Sequence, residues 1–454
     1  MTHPTESRQQ PASSASTSLP TSPTLPHGNA PDGTPAANTK SSPDGTVSPL
    51  KSRDFALLIA GQGISLFGDA TLSFAMAMWV LDRTGSATVF ASILAAAVVP
   101  TIVCSPFGGV LADRMNRRTI MVALDAGRAA IVAVSAIVFA TAGFSIAAVA
   151  VMQILLAVLE AFETPTVQAA IPQMYRRYGE ETVRQATAVT NQVQMLCNLL
   201  PSFLGGVLYS ALGIRAMMLI AVVSFAAAAV LERFIRLGAP ERDGELPSPF
   251  DDFKAGLRFL LRDRPNVFKL ALFAAGLNFV IIGYSNVGVA YTIRTVLGFD
   301  ATVYGVADGM VGVAGVAGAI IAGMFAAKLS MDRMPAALVA FTLTLLPQGL
   351  VFLLPVGAWT KLAVMVAFEC ASMICCCFTN LIAAPAIQMS TPEAMTGKVM
   401  SIFGALCICA QPLGQMTYGW TYDRFPVAAI LLVTTAACGL VTAMMTPFSR
   451  RFDE

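Results

Sequence analysis

Charged residues are scarce in this chain. Only 12% of its 454 residues are Asp, Glu, Lys or Arg, while 56% are hydrophobic and the mean hydropathy is +0.67. A soluble globular protein carries about 25% charged residues, so no soluble fold could bury this much apolar surface. The net charge of +2 is close to neutral and favours no acidic partner. The composition predicts a membrane protein that does not bind nucleic acid.

Histidine is nearly absent, and so are cysteines in loops. His3 and His27 fall within the first fifty residues, which are rich in Pro, Ser, Thr, Gly and Ala and predict a disordered cytoplasmic tail. The nine cysteines lie inside apolar runs, where they are interpreted as packing residues rather than disulfides. The sequence has no P-loop and no histidine-containing ligand cluster in its apolar part. We therefore expect no metal, no cofactor and no enzymatic activity.

Long apolar runs dominate the rest of the chain. A helix needs about 20 apolar residues to cross about 30 Å of hydrocarbon, and twelve runs meet this length. They cover approximately 55–81, 87–111, 119–141, 146–168, 188–211, 215–232, 266–292, 302–326, 335–355, 362–387, 399–420 and 427–448. Uninterrupted helices are predicted because backbone amides in lipid must be bonded internally.

Basic residues are unevenly distributed between the predicted loops. Twenty Lys and Arg fall on the side that holds both ends of the membrane region, and five fall on the other side: Arg83, Arg215, Arg294, Lys361 and Arg424. The positive-inside rule then places both termini in the cytoplasm and the protein in the cell membrane as a multi-pass protein.

The order of the runs predicts two six-helix halves. The predicted segments are a tail at 1–50, a first half at 51–232, a linker at 233–265, a second half at 266–449 and a tail at 450–454. Between Phe250 and Leu261, apolar residues recur at helical spacing opposite charged ones, which predicts an amphipathic helix on the cytoplasmic surface. A faint repeat supports the division, because Gly109–Arg114 is echoed by Gly323–Lys328.

The motif G-V-L-A-D-R-M-N-R-R at 109–118 resembles the loop between helices two and three of the major facilitator superfamily. It departs from the family pattern at Asn116, where glycine is usual. Further short matches are similar to the macrolide-efflux and enterobactin-exporter branch. They lie at 62–69, 82–86, 162–172, 397–399 and 411–414.

The resemblance covers about residues 51–449 and implies the major facilitator fold, an all-α membrane protein of twelve transmembrane helices. It also implies energised export of small amphiphilic or hydrophobic compounds, drug-like or siderophore-like, by alternating access. Uptake or flipping of a lipid-like or nutrient substrate is the alternative among transporters. A non-transporting membrane sensor on the same scaffold is the alternative from another class.

The loop motif suits a gate. Gly109 allows helix two to approach a neighbour closely, and Asp113 can accept hydrogen bonds from a facing helix N-terminus or arginine when the cytoplasmic side is closed. Arg114, Arg117 and Arg118 complete the predicted gate. The alternative is that these arginines only set the topology and contact lipid headgroups.

Carboxylates inside predicted spans indicate a functional or structural role, because inserting an acidic residue at the centre of the bilayer costs about 2.5–3.5 kcal/mol of free energy. Asp69 lies about fourteen residues into helix one, which at 1.5 Å per residue is ~21 Å deep. Because the spans contain no histidine, proton coupling would have to use such acids. Asp69 is the leading coupling or substrate-binding candidate, followed by Asp308 and Glu369. Its alternative role is a structural bond to polar neighbours such as Gln62.

Asp125 and Arg128 are three residues apart and predict a structural charge pair on one face of helix three. Glu160 and Glu163 lie one turn apart in helix four. This helix departs from the familiar drug antiporters, which carry an arginine there, so their proton relay is not transferred to this chain.

Uncharged polar and aromatic groups predict a cavity for an amphiphilic substrate. The candidates, in addition to Gln62, are Asn191, Asn198, Asn278, Tyr284, Asn380, Gln411 and Gln415. The alternative for each is a hydrogen bond between helices, worth about 0.6 kcal/mol on average. The expected partners are the substrate, protons and the lipid bilayer, and the expected state is a monomer.

Overall fold

The structure, a computed structural model, describes Pro49 and residues 52–175, 178–237 and 249–449. The predicted tails at 1–50 and 450–454 lie outside the described residues, apart from Pro49. Every regular element in the described part is helical, which confirms the predicted all-α class.

The helices begin and end close to the predicted spans. They are α1 (Arg53–Thr84), α2 (Ala87–Arg114), α3 (Arg117–Ala142), α4 (Ile146–Tyr175), α5 (Glu180–Arg233), α6 (Pro249–Arg262), α7 (Pro265–Ile282), α8 (Ala301–Met324), α9 (Met334–Leu350), α10 (Ala358–Met389), α11 (Glu393–Tyr422) and α12 (Val427–Ser449). Helix α7 continues as two π-helical segments, Gly283–Val289 and Thr292–Val296.

Helix α5 contains two predicted spans. It has 54 residues, or about 81 Å at 1.5 Å per residue, and Gly213 interrupts it with φ 72° and ψ 175°. Glycine adopts this positive φ without the steric cost that a Cβ atom brings. Eleven helices of the described part are long and apolar enough to cross a membrane. Because α5 divides at Gly213 into two arms, the predicted number of twelve spans agrees with the structure.

Short polar side chains start several helices. The Ser86 hydroxyl accepts the Val89 N–H at the start of α2, and the Asp300 carboxylate accepts the Val303 N–H at the start of α8. Asn116 caps α3, where its side-chain oxygen accepts the Arg118 N–H at 3.0 Å. Asparagine at this position is explained by the cap, because glycine has no side chain to accept that bond.

We name two groups of helices after the predicted halves. Helices α1–α5 form the N-terminal group and helices α7–α12 form the C-terminal group, and the two meet where α2 packs on α11 and α5 packs on α8. We call the side of the bundle that holds α6 and residues 115–116 the linker side. The side that holds residues 82–88 and Asp423 is the opposite side.

The helix predicted in the linker is present as α6, which packs on α11 and α7. Leu260 is buried, and a Cβ atom at Gly256 would lie 2.8 Å from Ile402 Cδ1 and 3.1 Å from Lys398 Cβ.

A small residue also allows close contact between the two groups. A Cβ atom at Gly206 on α5 would lie only 2.4 Å from the Ala301 carbonyl oxygen at the start of α8. The α5–α8 contact therefore requires glycine at position 206.

Candidate functional site

A cavity of about 390 Å³ lies where the two groups meet. Residues of α1, α2 and α4 line it from the N-terminal group, while Asn286 and residues of α11 line it from the C-terminal group. Most of the lining is apolar. Its larger polar side chains are Gln153, Glu160, Asn286, Gln411 and Gln415. Glu160 is the charged group among the described residues that line this cavity, and its side chain is exposed there.

The structure brings together only some of the predicted cavity residues. Gln411 and Gln415 line the cavity, and Gln415 is buried. Asn191 and Asn198 are exposed on α5. The Asn278 amide donates to the Ala274 carbonyl oxygen at 3.1 Å, one turn earlier in α7. Asn380 is exposed on α10, with its amide 3.6 Å from Cys376 Sγ.

A buried network of charged and polar side chains lies inside the N-terminal group. Arg128 on α3 forms an ion pair with Glu163 on α4, and their side chains are 2% and 6% exposed. Gln62 on α1 donates from its one amide nitrogen to Glu163 Oε1 and to Glu232 Oε1, both at 3.0 Å. Glu232, near the end of α5, is fully buried. The network therefore joins four helices.

The predicted pair of Asp125 and Arg128 belongs to this network. Asp125 Oδ1 lies 3.9 Å from Arg128 Nη1 and accepts a hydrogen bond of 2.7 Å from the Ser65 hydroxyl. Arg128 also lies over the Phe225 ring, with 5.7 Å from Cζ to the ring centroid. Its shorter ionic contact is with Glu163, a partner that local spacing does not reveal.

Asp69 is half-buried on α1 and adds to the charge around Arg128. It interacts electrostatically with Arg128 and with Glu160 in the cavity wall. Glu160 and Glu163 are three residues apart on α4, so the cavity and the buried network lie one helical turn from each other. The sequence suggested Gln62 as a partner of Asp69, whereas the Gln62 amide donates to Glu163 and Glu232, and the part of Glu232 was missed. The position of Glu232 at the end of an apolar span was the one sequence feature that could have indicated a buried acid.

The C-terminal group buries a second polar cluster. Glu369 on α10 accepts a hydrogen bond of 2.5 Å from the Ser285 hydroxyl in the π-helical continuation of α7. The Tyr284 hydroxyl donates to the Gln348 side-chain oxygen. Tyr284, Ser285 and Glu369 lie around a void of about 10 Å³. Within the described residues, no ion pair is formed by Glu369. Asp308 lies apart on α8, facing Ser202 of α5.

On the opposite side, several hydrogen bonds and an ion pair join the two groups. Asp423 accepts from the Ser86 hydroxyl at 2.7 Å and from the backbone N–H groups of Ala87 and Thr88 at 2.7 and 2.9 Å. Partial burial raises the pKa of Asp423, but the hydrogen bonds from Thr88, Ser86 and Ala87 outweigh it and hold this pKa below its ordinary value. The carboxylate thus caps the positive N-terminus of α2.

A second contact on that side is an ion pair between Asp82 of α1 and Arg294. The Tyr209 hydroxyl donates to Asp82 at 2.8 Å, and Arg294 also donates to the Phe299 carbonyl oxygen at 2.7 Å. Thr302 and Ser210 join α8 to α5 with a hydrogen bond of 3.0 Å. Together these contacts fasten the two groups on the opposite side.

The predicted gating loop lies on the linker side. Arg117 donates to the carbonyl oxygens of Ala112 and Ala169 at 3.1 Å each and to the Gln173 side chain at 2.8 Å. It therefore ties α2 to α4 inside one group. Arg118 is half-buried. Positions 109, 113 and 114 lie outside the residues whose side chains are described, so the gate stays a prediction.

Comparison with known proteins agrees with this architecture. The family model of the Major Facilitator Superfamily matches residues 58–412. Macrolide efflux protein A of Streptococcus pyogenes is 23% identical over 420 residues, which are 88% of this chain and 97% of that protein.

Solved structures with a similar fold include the nucleoside transporter NupG, with a TM-score of 0.68 and 10% identity over 87% of this chain and 98% of NupG. A bacterial homologue of the iron transporter ferroportin, in its inward-facing state, has a TM-score of 0.69 and 18% identity over 88% and 99% of the two chains. The match of the family model over most of the chain, together with this fold, shows that the protein is a membrane transporter of the Major Facilitator Superfamily.

Proposed function

We propose that this protein exports small amphiphilic compounds across the cell membrane by proton-coupled alternating access. The observation that carries the proposal is the position of Glu160, an exposed carboxylate in a mostly apolar cavity between the two groups whose other described lining residues are uncharged. Apolar walls accept the hydrophobic part of a substrate, while Gln411, Gln415 and Asn286 offer hydrogen bonds. The similarity to macrolide efflux protein A supports export.

The contacts between the groups support alternating access. Asp423 and the Asp82–Arg294 pair hold the groups together on the opposite side. With both termini in the cytoplasm, as the basic residues predict, the opposite side is the exterior. The conformation is then inward-facing, and a substrate reaches the cavity from the cytoplasm or the inner leaflet. The predicted gate at Asp113 and Arg114 would close the linker side in the outward-facing state.

Proton coupling follows from the chemistry of the cavity acid. In the outward-facing state a proton from the exterior neutralises Glu160, which removes the negative charge that holds a cationic amphiphile and releases it. After the return to the inward-facing state the proton leaves to the less acidic cytoplasm. Asp69 interacts electrostatically with both Glu160 and Arg128. It is therefore the proposed second carrier of that proton.

The test is transport by purified protein in liposomes under an imposed pH gradient. The panel holds cationic hydrophobic dyes, a macrolide and a catecholate siderophore. We expect gradient-driven movement of at least one cationic amphiphile, a large loss in Glu160→Gln and an altered pH dependence in Asp69→Asn. Glu393→Gln is the matched control, because Glu393 is an exposed acid at the start of α11 and should leave the flux unchanged.

Two results would contradict the proposal. If Glu160→Gln transported as fast as the unchanged protein with the same pH dependence, Glu160 would not carry the coupling proton. If no panel member moved although the protein was folded, a narrow substrate, another ion or a lipid cargo would replace the proposed one. Asp113→Asn tests the gate separately, since it should slow transport and leave membrane insertion intact.

A further inference from the structure

Glu232 is a fully buried acid whose immediate described partner is neutral. Its Oε1 accepts a hydrogen bond of 3.0 Å from the Gln62 amide, while its Oε2 is buried with no hydrogen-bond partner among the described residues. The start of its side chain packs on α1, where a Cβ atom at Gly61 would lie 2.9 Å from Glu232 Cγ. The carboxyl group is therefore held in place away from bulk water.

Among the described residues, the charges around Glu232 do not balance. Asp125 and Arg128 face it from α3, Glu163 faces it from α4, and Gln62 contacts it from α1. On its own helix, the neighbouring Arg233 is exposed. One buried arginine thus stands against three buried carboxyl groups. Burying an uncompensated carboxylate costs far more than burying a neutral acid, so protons must be bound within this network.

Geometry selects the acid that binds such a proton. Glu163 contacts Arg128 directly, and Asp125 lies 3.9 Å from the same guanidinium group. Within the described part of the chain, the carboxyl group of Glu232 is hydrogen-bonded to the Gln62 amide alone. A neutral carboxyl group fits this arrangement, because its carbonyl oxygen accepts from Gln62 and its hydroxyl is the oxygen to which no described group donates. An ionised group would leave a charged oxygen buried without a donor.

We propose that Glu232 binds a proton of its own in this conformation and is a further coupling acid beside Glu160 and Asp69, linked through Gln62 and Glu163 to Glu160 in the cavity. This inference rests on the proposed proton-coupled transport. When water reaches the network, Glu232 gives its proton to that water and becomes a carboxylate. Its hydrogen bond from Gln62 then becomes charge-assisted and stronger. That change draws the Gln62 amide away from Glu163 and loosens the link between α1 and α4.

The first arm of the test needs no transport. Difference infrared spectra of purified protein in nanodiscs, recorded across a pH titration, show the carbonyl stretch of protonated carboxyl groups. We expect such a band in the unchanged protein, the loss of one component of the band in Glu232→Gln, and its full retention in Glu181→Gln. Glu181 is a matched control on the same helix, exposed and paired with Arg184 at 2.7 Å. A band that is unchanged in Glu232→Gln would overturn the inference, and a band lost in Asp125→Asn instead would assign the proton to Asp125.

The second arm measures the number of protons moved per substrate in liposomes. We expect this number to fall by one in Glu232→Gln and to stay unchanged in Glu181→Gln. Proton-driven flux of the unchanged protein with equal stoichiometry in Glu232→Gln would refute the inference alone. Absence of any proton-driven flux in the unchanged protein would refute the proposed function, while the infrared arm would still decide the protonation of Glu232. If Glu232→Gln does not fold, Gln62→Leu keeps the acid and should shift its infrared band.

Discussion

Each group of helices buries a polar cluster, but only the cluster of the N-terminal group contains a cation among the described residues. There, Arg128 contacts Glu163 and lies close to Asp125. In the C-terminal group, Glu369 is bonded to the Ser285 hydroxyl, beside a neutral pair of Tyr284 and Gln348. The fold therefore repeats the burial of polar groups but not their charge.

This difference teaches where proton-dependent behaviour should arise. A network with one arginine and several acids changes its net charge with each proton, and its ion pairs change strength in response. A cluster of hydroxyl, amide and a single acid is held mainly by hydrogen bonds, which are less sensitive to pH. Substitutions that remove charge should therefore act most strongly in the N-terminal group.

The largest effect is expected from Arg128→Met. Removing one member of a buried ion pair leaves the other as an uncompensated charge and costs about 3–5 kcal/mol of stability. We expect a strongly lowered thermal stability in nanodiscs, measured with a dye that reacts with the native cysteines as they become exposed. The loss should diminish as the pH falls, because buried acids that have lost their cation are less costly when they are neutral.

Arg184→Met is the matched control for this prediction. Arg184 also pairs with a glutamate, Glu181, but its side chain is 80% exposed. Exposed pairs are worth about 0–1 kcal/mol, so we expect almost no change. Equal effects of the two substitutions would mean that burial does not strengthen the Arg128 pair.

A smaller effect is expected from Tyr284→Phe in the C-terminal group. The substitution keeps the ring and leaves the buried Gln348 side-chain oxygen without the donor that it has here. A buried acceptor without a donor costs about 1–3 kcal/mol. The same thermal measurement should show this loss with little dependence on pH, because no charge is involved. A strong pH dependence would contradict the description of Tyr284 and Gln348 as a neutral pair.

Glu369→Gln should change stability by about 1 kcal/mol or less. The amide has the shape of the carboxyl group, its oxygen can still accept from Ser285, and no ion pair of the described residues is lost. Glu163→Gln is the comparison in the N-terminal group and should be clearly more harmful, since Arg128 loses its charged partner. If the two substitutions were equally harmful, the contrast between the clusters would be wrong.

Asp423, outside both clusters, should show the smallest and least pH-dependent effect. Its pKa is lowered, so the contribution of its ionised form is fully present above the ordinary value of 3.8 and is lost as the pH falls through the lowered pKa. We expect Asp423→Asn to speed hydrogen exchange at the Ala87 and Thr88 amides a few-fold near neutral pH.

In the unchanged protein this exchange, corrected for its intrinsic rate, should be constant between about pH 5 and about pH 8. Asp300→Asn is the control, because the Asp300 carboxylate caps α8 and not the N-terminus of α2. Protection of Ala87 and Thr88 that changed steeply in this range would show that another group controls the contact.

The sequence predicted the helices well because lipid imposes a length and an apolar composition on each span. It also predicted the amphipathic helix α6 from its periodicity and the closeness of Asp125 and Arg128 from their spacing. The binding partners of distant residues were beyond it. Gln62 and Glu232 are 170 residues apart, and Ser86 and Asp423 are 337 apart, so no local pattern links them. The predicted roles of Asp69, Asp308 and Asp113 remain predictions.

The sequence by itself determined that this protein is a helical membrane protein, because hydrophobic length, the scarcity of charge and the loop motif are local properties. Only the tertiary structure decided which acids share Arg128, which acid faces the cavity and on which side the groups are joined. The physical reason is that the energy of a charge depends on its burial and on the nearest opposite charge. Both are set by helix packing, which brings Glu163 to Arg128 and leaves Glu369 in the described structure without a cation.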